Sequence, residues 1–179
     1  SLSEWGLLLS DIRQARSTFD TTDTRKSFGV CVIDYANAQS KVNAKYDAWQ
    51  RELLAHYGGK LGSAMRETYS SILKARSDLE TLAIEGSSTA QAVAFITFVQ
   101  DLKSKVQKWG PDLDEFVSGQ KTLERQRYSF PSDWLYVDQI QGEWSAFSEL
   151  LKRKDDTINE QVAGLQLKIV AEDKIIDQR

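Results

Sequence analysis

Hydrophobic positions recur at helical spacing along most of this 179-residue chain. The clearest stretch follows Glu85-Gly86-Ser87, where Ser88 and Gln91 have the spacing of a capping box and an apolar run opens behind them. From there Phe95, Val99, Leu102, Val106, Trp109, Leu113, Phe116, Gln120 and Leu123 step by four and three, which is a heptad seam. Phe130-Pro131-Ser132-Asp133 stops that helix and offers Ser132 or Asp133 as the N-cap of a return helix. The return helix carries Ile140, Trp144, Phe147, Leu151, Ile158, Val162, Leu165, Ile169 and Ile176 at a spacing close to the natural helical period, so it should be nearly straight.

Before Gly86 a second long pattern runs through Phe28, Val32, Tyr35, Val42, Tyr46, Trp49 and Leu53 and resumes through Leu61, Met65, Ile72, Leu79 and Leu82, helical on both sides of Gly58-Gly59. An opening helix over 2–19 precedes Asp20-Thr21-Thr22-Asp23-Thr24, whose side chains suit a turn and an N-cap. The reading is thus all-α, with an N-terminal helix and three long ones, the second open to a break at the glycine pair. Short connections make sequence neighbours antiparallel. The turn near 86 sets residue 60 level with residue 112, and the turn near 130 sets 111 level with 149, so 43–179 can form a three-helix bundle. Residues 1–42 then form a helical hairpin projecting from it, and the expected whole is an elongated, spectrin-like rod segment.

Composition changes little in this picture. Two prolines and ten glycines are too few for the turns a β-sandwich of this length needs. A net charge of −3 and a pI near 5.3 supply no basic face for nucleic acid or anionic membrane, and Lys103, Lys105 and Lys108 read as a solvated helix face. The single cysteine, Cys31, lies in an apolar run and reads as a small buried hydrophobe, which fits a reducing, intracellular setting. The apolar runs are well short of the roughly 20 residues of a membrane span. The chain opens inside an amphipathic pattern (Leu2, Trp5, Leu8, Leu9, Ile12) without signal-peptide architecture and reads as a piece of something larger.

Candidate chemistry is sparse. Gly58-Gly59-Lys60-Leu61-Gly62-Ser63 has the composition of a phosphate-binding loop but not its spacing, because Leu61 and Gly62 separate Lys60 from Ser63 and the preceding segment is helical, so it reads as a helix break or a close helix contact. His56, the only histidine, has no partner for a two-histidine metal motif and falls in the phase of Phe28, Tyr35, Val42 and Trp49, as a packed or bundle-edge residue would. Asp112, Asp114 and Glu115 follow Pro111 and fit the first turn of a restarted helix, where acids offset the helix dipole. No catalytic residue, metal or cofactor is expected. Trp49, Trp109 and Trp144 fall on core seams and, with Phe95, Val99, Leu102, Phe116, Phe147 and Leu151, form the expected structural core. Level-matching also places Gly58, Gly59 and Gly62 beside Gly110 and Pro111, an expected hinge spanned by an unbroken fourth helix near Glu149–Leu151.

Several longer strings are distinctive: Val32-Ile33-Asp34-Tyr35, Gln39-Ser40-Lys41-Val42-Asn43, Lys45-Tyr46-Asp47-Ala48-Trp49 and Phe95-Ile96-Thr97-Phe98-Val99-Gln100. To these add the run Gly119-Gln120-Lys121-Thr122-Leu123-Glu124-Arg125-Gln126-Arg127, then Phe130-Pro131-Ser132-Asp133-Trp134-Leu135-Tyr136 and Gly142-Glu143-Trp144-Ser145-Ala146-Phe147. From about Asp11 to Asp173 the chain resembles the heavy chain of cytoplasmic dynein. The part it resembles is the tail between the cargo-adaptor and subunit-binding region and the linker of the motor ring. The resemblance implies a homodimeric, minus-end-directed microtubule motor in the cytoplasm, with dynein subunits and dynactin as partners. It also implies that the ATP-binding modules and the microtubule-binding stalk lie outside this segment. The competing expectation is a free-standing, spectrin-like adaptor that binds a partner helix along the uncovered seam of 1–42.

Overall fold

A computed structural model describes residues 2–19, 22–81 and 89–176, and the side chains within 4–19, 22–81 and 93–163. The elements are α1 (Leu2–Ser17), β1 (Arg25–Phe28), β2 (Cys31–Asp34), α2 (Ala36–Thr81), α3 (Thr89–Arg125) and α4 (Val137–Ile176). The protein is an all-α helical bundle that carries, among the described residues, one small two-stranded sheet. The capping box at Ser88 and the turn at Gly86 lie outside the described residues, as do the turn at Asp20-Thr21, Leu82, and the side chains of Leu165, Ile169 and Ile176.

The chain divides into two compact units, one built from Ser1–Met65 with Asp114–Leu135 and the other from Arg66–Leu113 with Tyr136–Arg179. In the first unit α2 buries Leu53, Leu54, Tyr57, Leu61 and Met65, an i, i+4 ridge, while α3 buries Phe116 and Leu123 and the segment after it buries Trp134. In the second, α2 buries Ile72, Ala75 and Leu79, α3 buries Phe95, Val99, Leu102 and Leu113, and α4 buries Val137, Ile140, Phe147, Leu151 and Ile158. The seams of α3 and α4 are therefore as the periodicity predicts, with Trp109 and Trp144 half-buried on them. Burial of this ridge-and-stripe kind stabilises each helix far more than its intrinsic propensity does.

The stretch before α2 is not helical. Residues 25–34 form an antiparallel hairpin in which Arg25 faces Asp34, Lys26 faces Ile33, Ser27 faces Val32 and Phe28 faces Cys31. The loop is the two residues Gly29-Val30. Gly29 has φ of +62° and Val30 has no positive φ, the arrangement of a type II′ turn, which matches the twist of the flanking strands. The β-branched and aromatic residues of Phe28-Gly29-Val30-Cys31-Val32-Ile33 favour strand over helix. Every residue of both strands is exposed, so Cys31 is an exposed thiol and not a buried hydrophobe. The expected helical hairpin over 1–42 is thus α1, a β-hairpin and the first turns of α2.

The hairpin is joined to α2 by local hydrogen bonds. Tyr35 N–H donates to Thr24 O at 2.7 Å, extending the ladder, and Gln39 Nε2–H donates to Asp23 O at 2.9 Å. Ala36 N–H donates to Asp34 Oδ1 at 2.9 Å, and Arg25 Nε–H donates to Asp34 Oδ2 at 3.0 Å. Asp34 thereby satisfies a donor at the start of α2 that has no intrahelical partner. The Ala36 N–H first, and the Arg25 guanidinium second, hold the Asp34 carboxyl below its ordinary value. A depressed carboxyl contributes stability that is present above the unfolded value and lost as pH falls through the folded one. In an NMR titration the Ala36 amide resonance is therefore expected to follow a midpoint below 3.8 and to lose that transition in Asp34→Asn. A midpoint at or above 3.8 would mean that the hydrogen bond does not persist in solution.

Three further expectations are corrected. Helix α3 runs through Gly110-Pro111, so Asp112, Asp114 and Glu115 lie in a helix interior and not in the first turn of a restarted one, while α2, left open to a break, runs through Gly58-Gly59 unbroken. Helix α4 starts at Val137, not after Ser132 or Asp133, because Trp134 N–H donates to Pro131 O at 3.1 Å and closes a turn there. Its cap is Tyr136, whose N–H donates to Gln139 Oε1 at 3.3 Å, the backward half of a capping box. Trp49 is 49% exposed, not core. Its assumed phase is counted through Phe28 and Tyr35, which are not in a helix, whereas the inward face of α2 runs through Val42, Tyr46, Gln50 and Leu54.

Candidate functional site

In the first unit, α3 ends in a Schellman motif: Tyr128 N–H donates to Leu123 O and Arg127 N–H to Glu124 O, both at 3.0 Å. Arg127 occupies the left-handed position of this motif with φ of +55°, where glycine is usual. The reversal delivers Tyr128, Phe130 and Trp134 into one aromatic cluster, with ring centroids 5.2 Å apart for Tyr128–Phe130, 5.0 Å for Phe130–Trp134 and 6.2 Å for Tyr128–Trp134. Edge and tilted contacts of this kind suit the ring quadrupoles.

Two glycines of α2, one turn apart, receive that cluster. A Cβ on Gly58 would lie 2.5 Å from Tyr128 Cζ, and one on Gly62 would lie 2.9 Å from Trp134 Cζ3. A third recess is on α3, where a Cβ on Gly119 would meet Tyr57 Oη at 2.7 Å and the Leu61 methyls at 3.0 and 3.1 Å. Gly119, rather than Gly110-Pro111, is thus the α3 glycine that meets the Tyr57–Leu61 turn of α2. Burial first, and the charge of Glu115 second, push the Tyr57 hydroxyl above its ordinary value. Gly59 is exposed and meets nothing within 4 Å. Gly110 likewise meets nothing, but its lack of Cβ spares it the clash that a residue in the α region suffers before proline.

Between α1 and α2, Trp5 stacks on His56 with centroids 6.2 Å apart, and Arg16 Nη1 pairs with Asp47 Oδ1 at 2.6 Å. His56 is exposed, a bundle-edge residue. Lys45 sits over the Trp49 ring at 5.9 Å, and Tyr46 meets that ring edge-on.

The second unit has its own aromatic knot, Trp109 against Trp144 and Phe147, with centroid distances of 6.2 and 6.0 Å. Beside it Arg76 bridges Glu80 at 2.9 Å and Glu143 at 2.8 Å, and Lys103 pairs with Asp155 at 2.7 Å. Lys103 and Lys105 are both ion-paired, Lys105 with Asp101 at 2.9 Å, on partly exposed helix surface where each pair contributes at most about 1 kcal/mol.

These arrangements fix helices against one another and connect them; they do not align a nucleophile with a base. The Gly58–Ser63 stretch lies in the middle of α2, so its N–H groups are committed to the helix ladder and cannot cradle a phosphate. Among the described residues, no group of three or more His, Cys, Asp or Glu could hold a metal ion, and no helix is long and apolar enough to cross a membrane. Sequence reasoning finds Phe95, Val99, Leu102, Trp109, Phe116, Trp144, Phe147 and Leu151 on inward faces, and marks Gly58 and Gly62 as special. It misses Gly119, which has no local signal, and Tyr128, Phe130 and Trp134, whose one local signal is the density of aromatics after Arg127.

No family model matches the chain. Individual relatives do. The cytoplasmic dynein heavy chain of Drosophila melanogaster is 51% identical over 175 residues, which is 98% of this chain and 4% of that protein. That of Fusarium vanettenii is 51% identical over 178 residues, and that of Dictyostelium discoideum 47% over 178, each covering 99% of this chain. The chain spans about 4% of the length of these relatives. Over nearly its whole length, this chain is a homologue of one short stretch of cytoplasmic dynein heavy chains.

Proposed function

We propose that the chain is a structural tail segment of a minus-end-directed microtubule motor, linking the cargo- and subunit-binding end of a dynein heavy chain to the motor domain and transmitting force between them. The observation that carries this reading is the 51% identity to a cytoplasmic dynein heavy chain across 98% of the chain. The helices support it: α2, α3 and α4 have 46, 37 and 40 residues, against an ordinary length of about 11 to 12, and a long helix carries axial load through a continuous ladder of hydrogen bonds. Under this reading the segment has no catalytic residue and needs no cofactor, and the ATPase modules belong to other parts of the heavy chain. Its partners are the second heavy chain, dynein subunits and dynactin, in the cytoplasm on microtubules, with neither nucleic acid nor membrane among them.

The test is made in a full-length heavy chain. The homologous segment of the Drosophila protein is exchanged for a flexible glycine–serine linker with the same number of residues. Microtubule-stimulated ATP hydrolysis is expected to persist while the stall force in an optical trap falls. An unchanged stall force would overturn the force-bearing role.

A further inference from the structure

Within the first unit, the C-terminal end of α3 and the adjoining face of α2 form an open cleft of about 570 Å³ lined by Asp47, Gln50, Arg51 and Leu54 from α2 and by Gln126, Arg127, Tyr128 and Ser129. Its charges are unbalanced. Asp47, the one acid, is already engaged by Arg16 at 2.6 Å. Arg51 donates from Nε to Asp47 O at 3.3 Å, which fixes its stem along the helix, and among the described residues neither Arg51 nor Arg127 has a carboxylate partner. The cleft therefore offers two guanidinium groups in a chain whose net charge is −3. Its floor is apolar on one side, where Leu54 is 6% exposed beside the half-buried Tyr128 ring, and amide on the other, where Gln50 Nε2–H donates to Gln126 Oε1 at 3.0 Å.

The backbone adds a second, independent observation. Arg127 stands at the left-handed position of the Schellman motif, which glycine fills without strain, so the backbone conformation there does not call for an arginine. We propose that this cleft binds an acidic polypeptide segment, holding its carboxylates with Arg51 and Arg127 and its aliphatic stems over Leu54 and Tyr128. Arginine suits that task because its planar fork pairs carboxylates bidentately. Two guanidinium groups in a short cleft fit a short run of Asp or Glu better than a nucleic-acid backbone, which requires an extended basic stripe.

The experiment is fluorescence anisotropy of a labelled hexaglutamate peptide titrated with the 179-residue chain at low ionic strength, beside a single-stranded oligonucleotide of equal charge. Saturable peptide binding is expected, weakened about tenfold or more in Arg127→Gly and in Arg51→Gln and within about twofold of the parent in Arg153→Gln, an exposed arginine of the other unit. Arg127→Gly is expected to unfold at the same or a higher urea concentration, so that its lost binding is not lost structure. Should it unfold earlier, Arg51→Gln alone decides. Absence of saturable binding, retention of binding in Arg51→Gln, an equal loss in Arg153→Gln, or equally tight binding of the oligonucleotide would each overturn the proposal.

Discussion

Replacing Phe147 by alanine is expected to lower the free energy of unfolding by about 3 to 5 kcal/mol, the range for deleting a buried aromatic ring. Phe147 has no exposed surface and sits against two indoles, with centroids 6.0 Å from Trp109 and 6.2 Å from Trp144. Truncation removes the ring's transfer free energy and leaves a cavity walled by Trp109 and Trp144. The two indoles meet each other at 76° and cannot both swing into the gap without losing their own edge contact. Their fluorescence gives a direct probe of urea unfolding. A shifted midpoint with an unchanged slope is the expected form, since the denatured state exposes much the same surface in both proteins. Lys152→Ala, at an exposed position one residue after buried Leu151, should stay within about 0.5 kcal/mol of the parent. A Phe147→Ala protein within about 1 kcal/mol of the parent would show that the three rings do not form a packed knot in solution.

The long helices were legible because burial at every third or fourth residue leaves its period in the sequence, and the seam from Phe95 to Leu123 is buried or half-buried along its whole length. The same reasoning fails at the hairpin for a definite reason. Phe28, Tyr35, Val42 and Trp49 are spaced by seven and imitate a heptad, but a seven-residue spacing by itself says nothing of the backbone between its members. The local signal, a glycine in a two-residue loop between Phe28 and Cys31, is present in the sequence but is far shorter than that apparent period. The glycines were legible as a break or a close contact, but not the partners of that contact, because the aromatic rings they accommodate lie in the connection after α3, about 70 residues further along the chain than Gly58 and Gly62. Sequence periodicity orders residues along one helix. It does not say which residue of a distant loop lands on that helix's small side chains.

That distinction gives opposite signs for substitutions that look alike. Changing Gly62 and Gly119 together to alanine is expected to destabilise the protein by about 2 kcal/mol or more, while Gly59→Ala is expected to stabilise it by about 0.5 to 1 kcal/mol. Any glycine inside a helix costs backbone entropy relative to alanine, so each substitution starts with a gain of that size. At Gly59 the new methyl meets open space and the gain is kept. At Gly62 it meets Trp134 Cζ3 at 2.9 Å, and Trp134 is 7% exposed and held by Phe130 on one side and Tyr128 on another, so the indole has little room to withdraw. At Gly119 it enters between Tyr57 Oη and the two Leu61 methyls. The tyrosine can give way at its free end, but Leu61 is wholly buried and cannot. Overpacking of this kind costs about 1 to 3 kcal/mol per site, which exceeds the propensity gain at both. Urea denaturation of the double variant and of Gly59→Ala, followed by tryptophan fluorescence, compares the two signs directly. A rise in stability for both would show that the buried glycines serve as weak points of the helices, as a hinge at this level requires, and not as seats for the aromatic cluster.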